Sequence, residues 1–142
     1  MKYPALSVWQ PWASMLVSGV KNIENRVWYL PEKFLNTPIL IHTSKKKDQE
    51  TWEIANHNYE VFTSLRESLA PLDDDCYKFG GVIGWVIFDK VITMEDDYPD
   101  NYFWFDGTGC GFHIKEFHET EFFPCRGQQK IFYVDLPEDY KL

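Results

Sequence analysis

The chain has 142 residues, of which 44% are apolar and 18% aromatic, and its formal net charge is −8. This length suits one domain with a substantial core, and we expect a single domain over residues 1–142. The acidic balance argues against a protein that binds nucleic acid broadly and without selectivity. No run of about 18 apolar residues occurs, so we expect no membrane association. The three cysteines are far apart, which suits a reduced, cytoplasmic protein better than a disulfide framework.

Charge is unevenly distributed along the chain. Residues 1–50 contain seven Lys or Arg and four Asp or Glu, whereas residues 51–142 contain seven and eighteen. The first segment is therefore basic (+3) and the second strongly acidic (−11). A local basic region on an acidic body favours a selective pocket over a long electrostatic groove. Because aromatic residues are so abundant, we expect some of the rings to line that pocket.

The segment Ala5–Trp28 predicts a strand, a short helix and a second strand. Pro11 suits the first helical position, where its missing N–H is not needed. From Trp12 onward, apolar residues recur at i, i+3 and i+4, which predicts one apolar helix face. Gly19 suits the end of the helix, since glycine adopts the left-handed conformation without a steric penalty.

The second strand, Asn22–Trp28, combines opposite charges on one face. Alternation places Glu24, Arg26 and Trp28 on the same side, with Lys21 directly before the strand. One interpretation is a surface ion pair beside a half-buried tryptophan, and such pairs contribute less than about 1 kcal/mol. The other is a charged site walled by tryptophans.

Residues 29–62 predict a loop, a strand and a helix. Pro31 and Pro38 interrupt the chain before a strand at Ile39–Thr43. The run Lys45–Lys47 either forms a solvated entry to the helix or contacts phosphates as flexible point charges. The helix, over residues 48–62, is predicted by a stripe of apolar residues expected to pack against the sheet: Trp52, Ala55, Tyr59 and Phe62.

Residues 63–100 predict a buried strand between two acidic loops. The near-continuous apolar run Gly80–Phe88 predicts the most buried strand, and its glycines predict bends that let a small barrel close. Asp73–Asp75 and Glu95–Asp97 are typical of solvated loops. A metal site at the three aspartates is disfavoured, because consecutive residues of an extended loop point apart and no EF-hand pattern follows.

Four consecutive aromatic residues, Tyr102–Phe105, form a second candidate binding element. If this stretch is extended, Tyr102 and Trp104 share one face and the two phenylalanines share the other. One pair would enter the core while the other offers a stacking surface. Further on, Gly111–Phe117 and Ile131–Leu136 predict the last two strands, with the polar turn Arg126–Gln129 between them.

Common catalytic and cofactor motifs are absent from the sequence. There is no CxxC, HExxH or zinc-finger spacing, and no GxSxG elbow or Walker loop. We therefore expect no bound metal and no cofactor.

Several stretches resemble the ASCH family (activating signal cointegrator homology domains). The fairly specific part is Gly19-x-Lys21-x-x-Glu24-x-Arg26, preceded by Gln10-Pro11-Trp12-Ala13. The weaker parts are the glycine-rich strand Gly80–Val91 and the closing run Pro124–Gln129. The resemblance covers nearly the whole chain. It implies an α+β fold: a small mixed β-barrel like that of pseudouridine synthase and archaeosine transglycosylase (PUA) domains, flanked by two or three helices.

The first functional hypothesis is a module that binds RNA, another single-stranded nucleic acid or a modified nucleoside. Single-stranded or flipped bases are held by aromatic stacking and by a few polar side chains, and the resemblance to RNA-binding PUA domains points the same way. The candidate ligand-binding residues supply aromatic planes, amide and hydroxyl groups, and cations: Trp9, Gln10, Trp12, Arg26, Ser44, Lys45, Tyr102, Trp104, Arg126 and Gln128.

The second hypothesis is a hydrolase with Lys21 and Glu24 as catalytic residues. The resemblance extends to a bacterial branch that hydrolyses the amide of N4-acetylcytidine, in which a lysine matching Lys21 and a threonine at the position of Glu24 are implicated. Glu24 departs from that pattern, and a carboxylate is a poorer candidate than a threonine hydroxyl for accepting the acyl group. Glu24 could instead act as a general base on water, with Lys21 polarising a carbonyl. Other family members are linked to the cleavage of single-stranded RNA, so a ribonuclease is also open. A third hypothesis is a protein-interaction module whose acidic half meets a basic partner.

Overall fold

The computed structural model describes residues 1–50, 77–96 and 104–142. The elements in these ranges are mostly strands. They are β1 (Lys2–Gln10), α1 (Trp12–Val17), β2 (Ile23–Arg26), a 3₁₀ turn (Glu32–Phe34), β3 (Pro38–Lys47), β4 (Gly81–Ile92), β5 (Cys110–Pro124) and β6 (Ile131–Asp135). The described residues include no helix long and apolar enough to cross a bilayer.

The strands form one six-stranded sheet in the order β2-β5-β4-β3-β1-β6. β1 and β3 are parallel, and the other neighbouring pairs are antiparallel. The parallel pair brings two distant segments into register, so that Ser7 lies opposite His42 and Val8 opposite Thr43. This central ladder positions most of the side chains discussed below.

The expected closed barrel was wrong for the described residues, because the sheet has two free edges, β2 and β6. β6 already occupies the outer edge of β1 from Lys2 to Leu6, which leaves β2 no backbone partner there. A side chain spans the gap instead: Arg26 Nη2 donates a hydrogen bond of 2.7 Å to the carbonyl oxygen of Ser7. Of the two or three flanking helices expected, the described ranges contain one in full, the short helix α1. The predicted helix at 48–62 falls largely outside them.

The core lies on both faces of the sheet, as the alternation of β1 requires. Leu6 and Val8 join the larger apolar cluster with α1, which includes Leu16 and Phe88. Ala5 points the other way, into a second cluster beside β6. Ser7 and Trp9 continue the face of Ala5 toward the end of the strand. That face therefore changes from apolar core to polar surface along β1.

The turn into and out of α1 follows the predicted pattern with one shift. Pro11 lies at the N-cap, one residue earlier than predicted, and is preceded by a cis peptide bond. Gly19 has a φ of +82° after the helix ends, as expected for glycine at this position. The ring of Phe117 fills the space that a Cβ at Gly19 would need. The helix end is thus packed directly against β5.

The lysine run differs from one of its two sequence interpretations, the solvated loop that enters a helix. β3 extends to Lys47, so Lys45–Lys47 belong to a strand and not to a loop that enters a helix. The reason is the neighbouring strand: the parallel ladder with β1 resumes at Gln10, which pairs with Lys47 after an irregularity.

Candidate nucleic-acid interface

Three adjoining cavities form a cleft along the end of β1. Their volumes are about 210, 390 and 810 Å³, and all three are lined by Ser7 and Trp9. The small and middle cavities also share Arg26, whereas the middle and large cavities share Gln128 and Gln129. We call this continuous surface the cleft. It brings β1, β2 and the β5–β6 turn together around one exposed indole, since Trp9 is 50% exposed.

The small cavity contains the charged residues of the opening motif. Glu24 lines it together with Trp9, Trp12 and Arg26. Glu24 is only 5% exposed, and its carboxylate lies 3.9 Å from Lys21 Nζ and 3.5 Å from Arg26 Nη2. The three charged side chains therefore form a linear network with the acid in the middle. Glu24 and Arg26 line the cavity, whereas Lys21 contacts the Glu24 carboxylate and does not line the cavity.

Lys21 is held in a nearly dry environment. It is 5% exposed, and its ammonium lies 5.0 Å from the centre of the Trp12 ring. Burial lowers the pKa of Lys21, and the positive charge of Arg26 acts in the same direction. The carboxylates of Glu24 and Asp106 oppose this shift in the pKa. A lysine with a lowered pKa beside a carboxylate is a pattern found at functional sites as well as in structural networks.

Two indoles form the wall beside this charge network. Trp12 and Trp104 meet edge to face, with ring centres 6.3 Å apart. Trp12 Nε1 donates to Asp48 Oδ2 at 2.9 Å, and Trp104 Nε1 donates to the carbonyl oxygen of Val20 at 3.1 Å. Both rings are thus fixed by hydrogen bonds as well as by packing. Trp12 lines the small cavity, and Trp104 supports it from outside the cleft.

Gln10 has an internal position although the sequence suggested a ligand-binding amide. It is fully buried. Its Nε2 donates to the carbonyl oxygen of Lys78 at 3.0 Å, and its Oε1 accepts from the backbone N–H of Ser14 at 3.0 Å. The side chain joins the start of α1 to the segment before β4. The structure shows no face of this amide turned to the cleft.

The large cavity carries positive charge. Lys45, Lys46 and Arg126 line it, together with Ser44 and Gln128. The three cationic side chains are exposed. Across the three cavities the lining contains five cationic side chains (Arg26, Lys45, Lys46, Arg126 and Lys130) and one acidic side chain, Glu24. This local excess contrasts with the net charge of −8.

The predicted site residues therefore fall into three groups. The cleft is lined by seven of the ligand-binding candidates and by Glu24: Trp9, Trp12, Arg26, Ser44, Lys45, Arg126 and Gln128. Lys21, Gln10 and Trp104 lie behind its wall. Tyr102 lies outside the described residues.

Ser7 and His42 were not among the residues predicted for the site, but the fold brings their side chains together at the cleft. Ser7 Oγ lies 3.0 Å from His42 Nδ1, and His42 Nε2 lies 2.8 Å from the carbonyl oxygen of Cys125. One signal was available for Ser7, because it is two residues before Trp9 on a strand and must share its face. No comparable signal existed for His42, whose partner depends on the register of β1 with β3.

Among residues 1–50, 77–96 and 104–142, no cluster of three or more His, Cys, Asp or Glu side chains is arranged to hold a metal ion. The aspartates at 73–75 and Asp97 lie outside these ranges. The acidic side chain that faces the cleft, Glu24, is instead committed to lysine and arginine.

Comparison with known families agrees with the motif and the fold. Residues 6–103 match the model of the ASCH domain. The chain belongs to the ASCH domain family. It is 61% identical over 98 residues to activating signal cointegrator 1 of Homo sapiens, a match that covers 67% of this chain and 16% of the human protein. A 28-residue stretch is 57% identical to the Mus musculus protein of the same name, covering 20% of this chain and 5% of the mouse protein.

Solved structures of low sequence similarity support the ASCH fold. The crystal structure of ASCH from Zymomonas mobilis superposes with a TM-score of 0.51 at 15% identity, covering 96% of this chain and 89% of that one. A mutant of the Zymomonas mobilis protein gives the same TM-score at 13% identity and the same coverage. At these identities the likeness concerns the fold alone.

Proposed function

We propose that this ASCH domain binds single-stranded RNA or a modified nucleoside in the cleft. The observation that carries the proposal is the composition of the lining: five cationic side chains and one acid surround a half-exposed indole on a protein of net charge −8. A cationic surface next to an open aromatic plane is the combination that single strands require. The curated relatives are far longer than this chain, so the proposal concerns this domain by itself.

The two ends of the cleft suit different parts of a nucleotide. The small cavity, at about 210 Å³, is below the usual range for drug-sized ligands and suits one base. Trp9 offers that base a stacking plane. Glu24 can accept a hydrogen bond from an exocyclic amino group, and Arg26 can donate to a base carbonyl. The large cavity then receives phosphates through Lys45 and Arg126.

The direct test compares single-stranded and duplex RNA of the same sequence by fluorescence anisotropy. We expect the single strand to bind more tightly, because a paired base cannot enter the small cavity without leaving its stack. Equal affinity for both forms would contradict binding through an extruded base. No measurable affinity for either form at low salt would reject the nucleic-acid proposal and leave free nucleosides to be tested by calorimetry.

A second candidate is hydrolysis of an acylated nucleoside by Lys21 and Glu24. It is favoured by the burial that lowers the pKa of Lys21 beside a carboxylate facing the small cavity. Glu24 would take a proton from water, and Lys21 would hold it in position. The test is release of acetate from N4-acetylcytidine. Loss of release in Glu24→Gln, with retention in Lys115→Ala on the exposed face of β5, would support it; no release by the intact protein would reject it.

A further inference from the structure

Ser7 and His42 form a side-chain pair at the centre of the cleft. They are direct neighbours on the parallel strands β1 and β3. Ser7 Oγ and His42 Nδ1 lie 3.0 Å apart, within hydrogen-bond distance. Ser7 lines all three cavities, whereas His42 is 2% exposed and lies beneath it. Ser7 is thus a half-buried residue of the cleft lining, while its imidazole partner is shielded from water.

The surroundings of His42 determine which ring nitrogen carries the proton. Nε2 lies 2.8 Å from the carbonyl oxygen of Cys125, which can only accept a hydrogen bond, so Nε2 must be protonated. Burial lowers the pKa of His42 and favours the neutral ring, although the Cys125 carbonyl acts in the opposite direction. In a neutral ring with Nε2 protonated, Nδ1 carries the lone pair. Ser7 Oγ must then be the donor and His42 the acceptor.

The β5–β6 turn holds this pair in place from above. A Cβ on Gly127 would lie 2.6 Å from His42 Cε1 and 3.0 Å from Ser7 Oγ, so only glycine permits this approach of the backbone. From the other side, Arg26 binds the carbonyl oxygen of Ser7 at 2.7 Å. Arg26 also lines two of the cavities with Ser7. A guanidinium is thus bound to the backbone of the residue that carries the hydroxyl.

We propose that Ser7 and His42 are a nucleophile and general-base pair that hydrolyses carboxylic esters, with Arg26 stabilising the oxyanion. A hydroxyl within reach of a base that a third group orients is the arrangement expected of an activated nucleophile. The choice of ester rests on the proposed function: an acyl group carried on a hydroxyl of a nucleotide, whose base and phosphate fit the two ends of the cleft. The nucleophile itself does not depend on that choice.

The reaction proceeds in two balanced steps. Ser7 Oγ attacks the carbonyl carbon of the ester, and its proton passes to His42 Nδ1 as the oxyanion forms beside Arg26. The carbon–oxygen bond to the alcohol then breaks, and the alcohol leaves with that proton. Water attacks the acylated Ser7 and gives a proton to His42 Nδ1. Ser7 recovers this proton as the carboxylic acid departs, so no further co-reactant is needed.

The test is covalent labelling of the intact chain with an alkyl fluorophosphonate, followed by intact mass and peptide mapping. The result expected is one phosphonate per chain on the Ser7 peptide, lost in Ser7→Ala and slowed at least tenfold in His42→Gln. The matched control Ser18→Ala, at the end of α1, should label like the intact protein. Hydrolysis of p-nitrophenyl acetate should follow the same order.

An unlabelled Ser7 peptide in the folded protein would overturn the proposal, and the pair would then be a structural hydrogen bond. Labelling that persists in Ser7→Ala would overturn it too, since another residue would be responsible. If Ser7 is labelled but single-stranded RNA does not bind, the nucleophile stands and the proposed nucleotide ligand fails. The circular dichroism spectrum of each variant shows whether it is folded.

Discussion

Lys21 and Glu24 lie 3.9 Å apart, and each is only 5% exposed. Two opposite charges this deeply buried lose most of their hydration, so each charge stabilises the folded protein only while the other is present. Arg26 extends the network toward the cleft from 3.5 Å away. The spacing of these residues in the sequence is typical of an exposed ion pair. In the fold, the same residues form a buried charge network beside the small cavity.

Removing one member of this pair should destabilise the fold. Lys21→Met leaves Glu24 buried with less compensation, and we expect a loss of about 3–5 kcal/mol in the free energy of unfolding. The double variant Lys21→Met/Glu24→Leu should lose less than this single variant, because no buried carboxylate is left without its lysine. Arg26 loses Glu24 but is partly exposed and keeps its bond to the Ser7 carbonyl oxygen. Urea denaturation followed by tryptophan fluorescence measures both. A double variant whose loss equals the sum of the two single losses would show that the charges do not interact.

Protonation of His42 should make the free energy of unfolding depend on pH below its ordinary pKa. Burial lowers its pKa in the folded state below the ordinary value of 6.5. Below pH 6.5 the unfolded chain binds a proton that the folded chain does not, so stability falls as pH decreases and is constant above that pH. His42→Gln should remove this dependence below pH 6.5. Thermal unfolding across this range measures it, with His118→Gln as the exposed control.

The stability of His42→Gln at low pH also provides the result that would contradict this account. If the intact protein and His42→Gln lose the same stability between about pH 6.5 and 5, the imidazole is protonated as readily in the folded state as in the unfolded one. That result would contradict an imidazole kept neutral by burial, and Nδ1 would then accept from Ser7 only above about pH 6.5.

The cations of the large cavity should control the salt dependence of RNA binding. Each phosphate contact to a single strand contributes about 0.7 to the slope of log K against log salt concentration. Lys45→Ala and Arg126→Ala should each weaken binding and reduce the slope by about that amount. Lys115→Ala, exposed on β5 outside the cleft, should leave the slope unchanged. Slopes that respond equally to all three variants would indicate diffuse attraction without a defined phosphate site.

Local patterns in the sequence predicted most of the strands and the opening motif. Alternation placed Glu24 and Arg26 on one face, and their side chains lie 3.5 Å apart. Proline and glycine predicted the limits of α1 to within one residue. These features depend on residues close together in the chain, so the spacing of residues in the sequence is enough to predict them.

Long-range pairing explains what the sequence could not show. Gln10 resembled a ligand-binding amide, but it is bonded to the carbonyl of Lys78, 68 residues away. The Ser7–His42 pair exists only because β1 and β3 are parallel and in one particular register. The open sheet has the same origin, since β6 takes the edge of β1 that closure would have required. Each outcome depends on which strands meet, and spacing within a segment does not encode that.

The most direct measurement of the central claim is the affinity of Trp9→Ala for a fluorescein-labelled single-stranded RNA of about ten nucleotides. Trp9 is half exposed and borders all three cavities, so its removal should leave the fold intact. Loss of one stacked base, about 1–3 kcal/mol, predicts a Kd raised about 5- to 150-fold. The control Tyr133→Ala removes an exposed aromatic ring from β6 that lines a neighbouring cavity but none of the three cavities of the cleft, and this variant should bind like the intact domain. A Trp9→Ala variant that binds as tightly as this control would contradict the cleft as the site of binding.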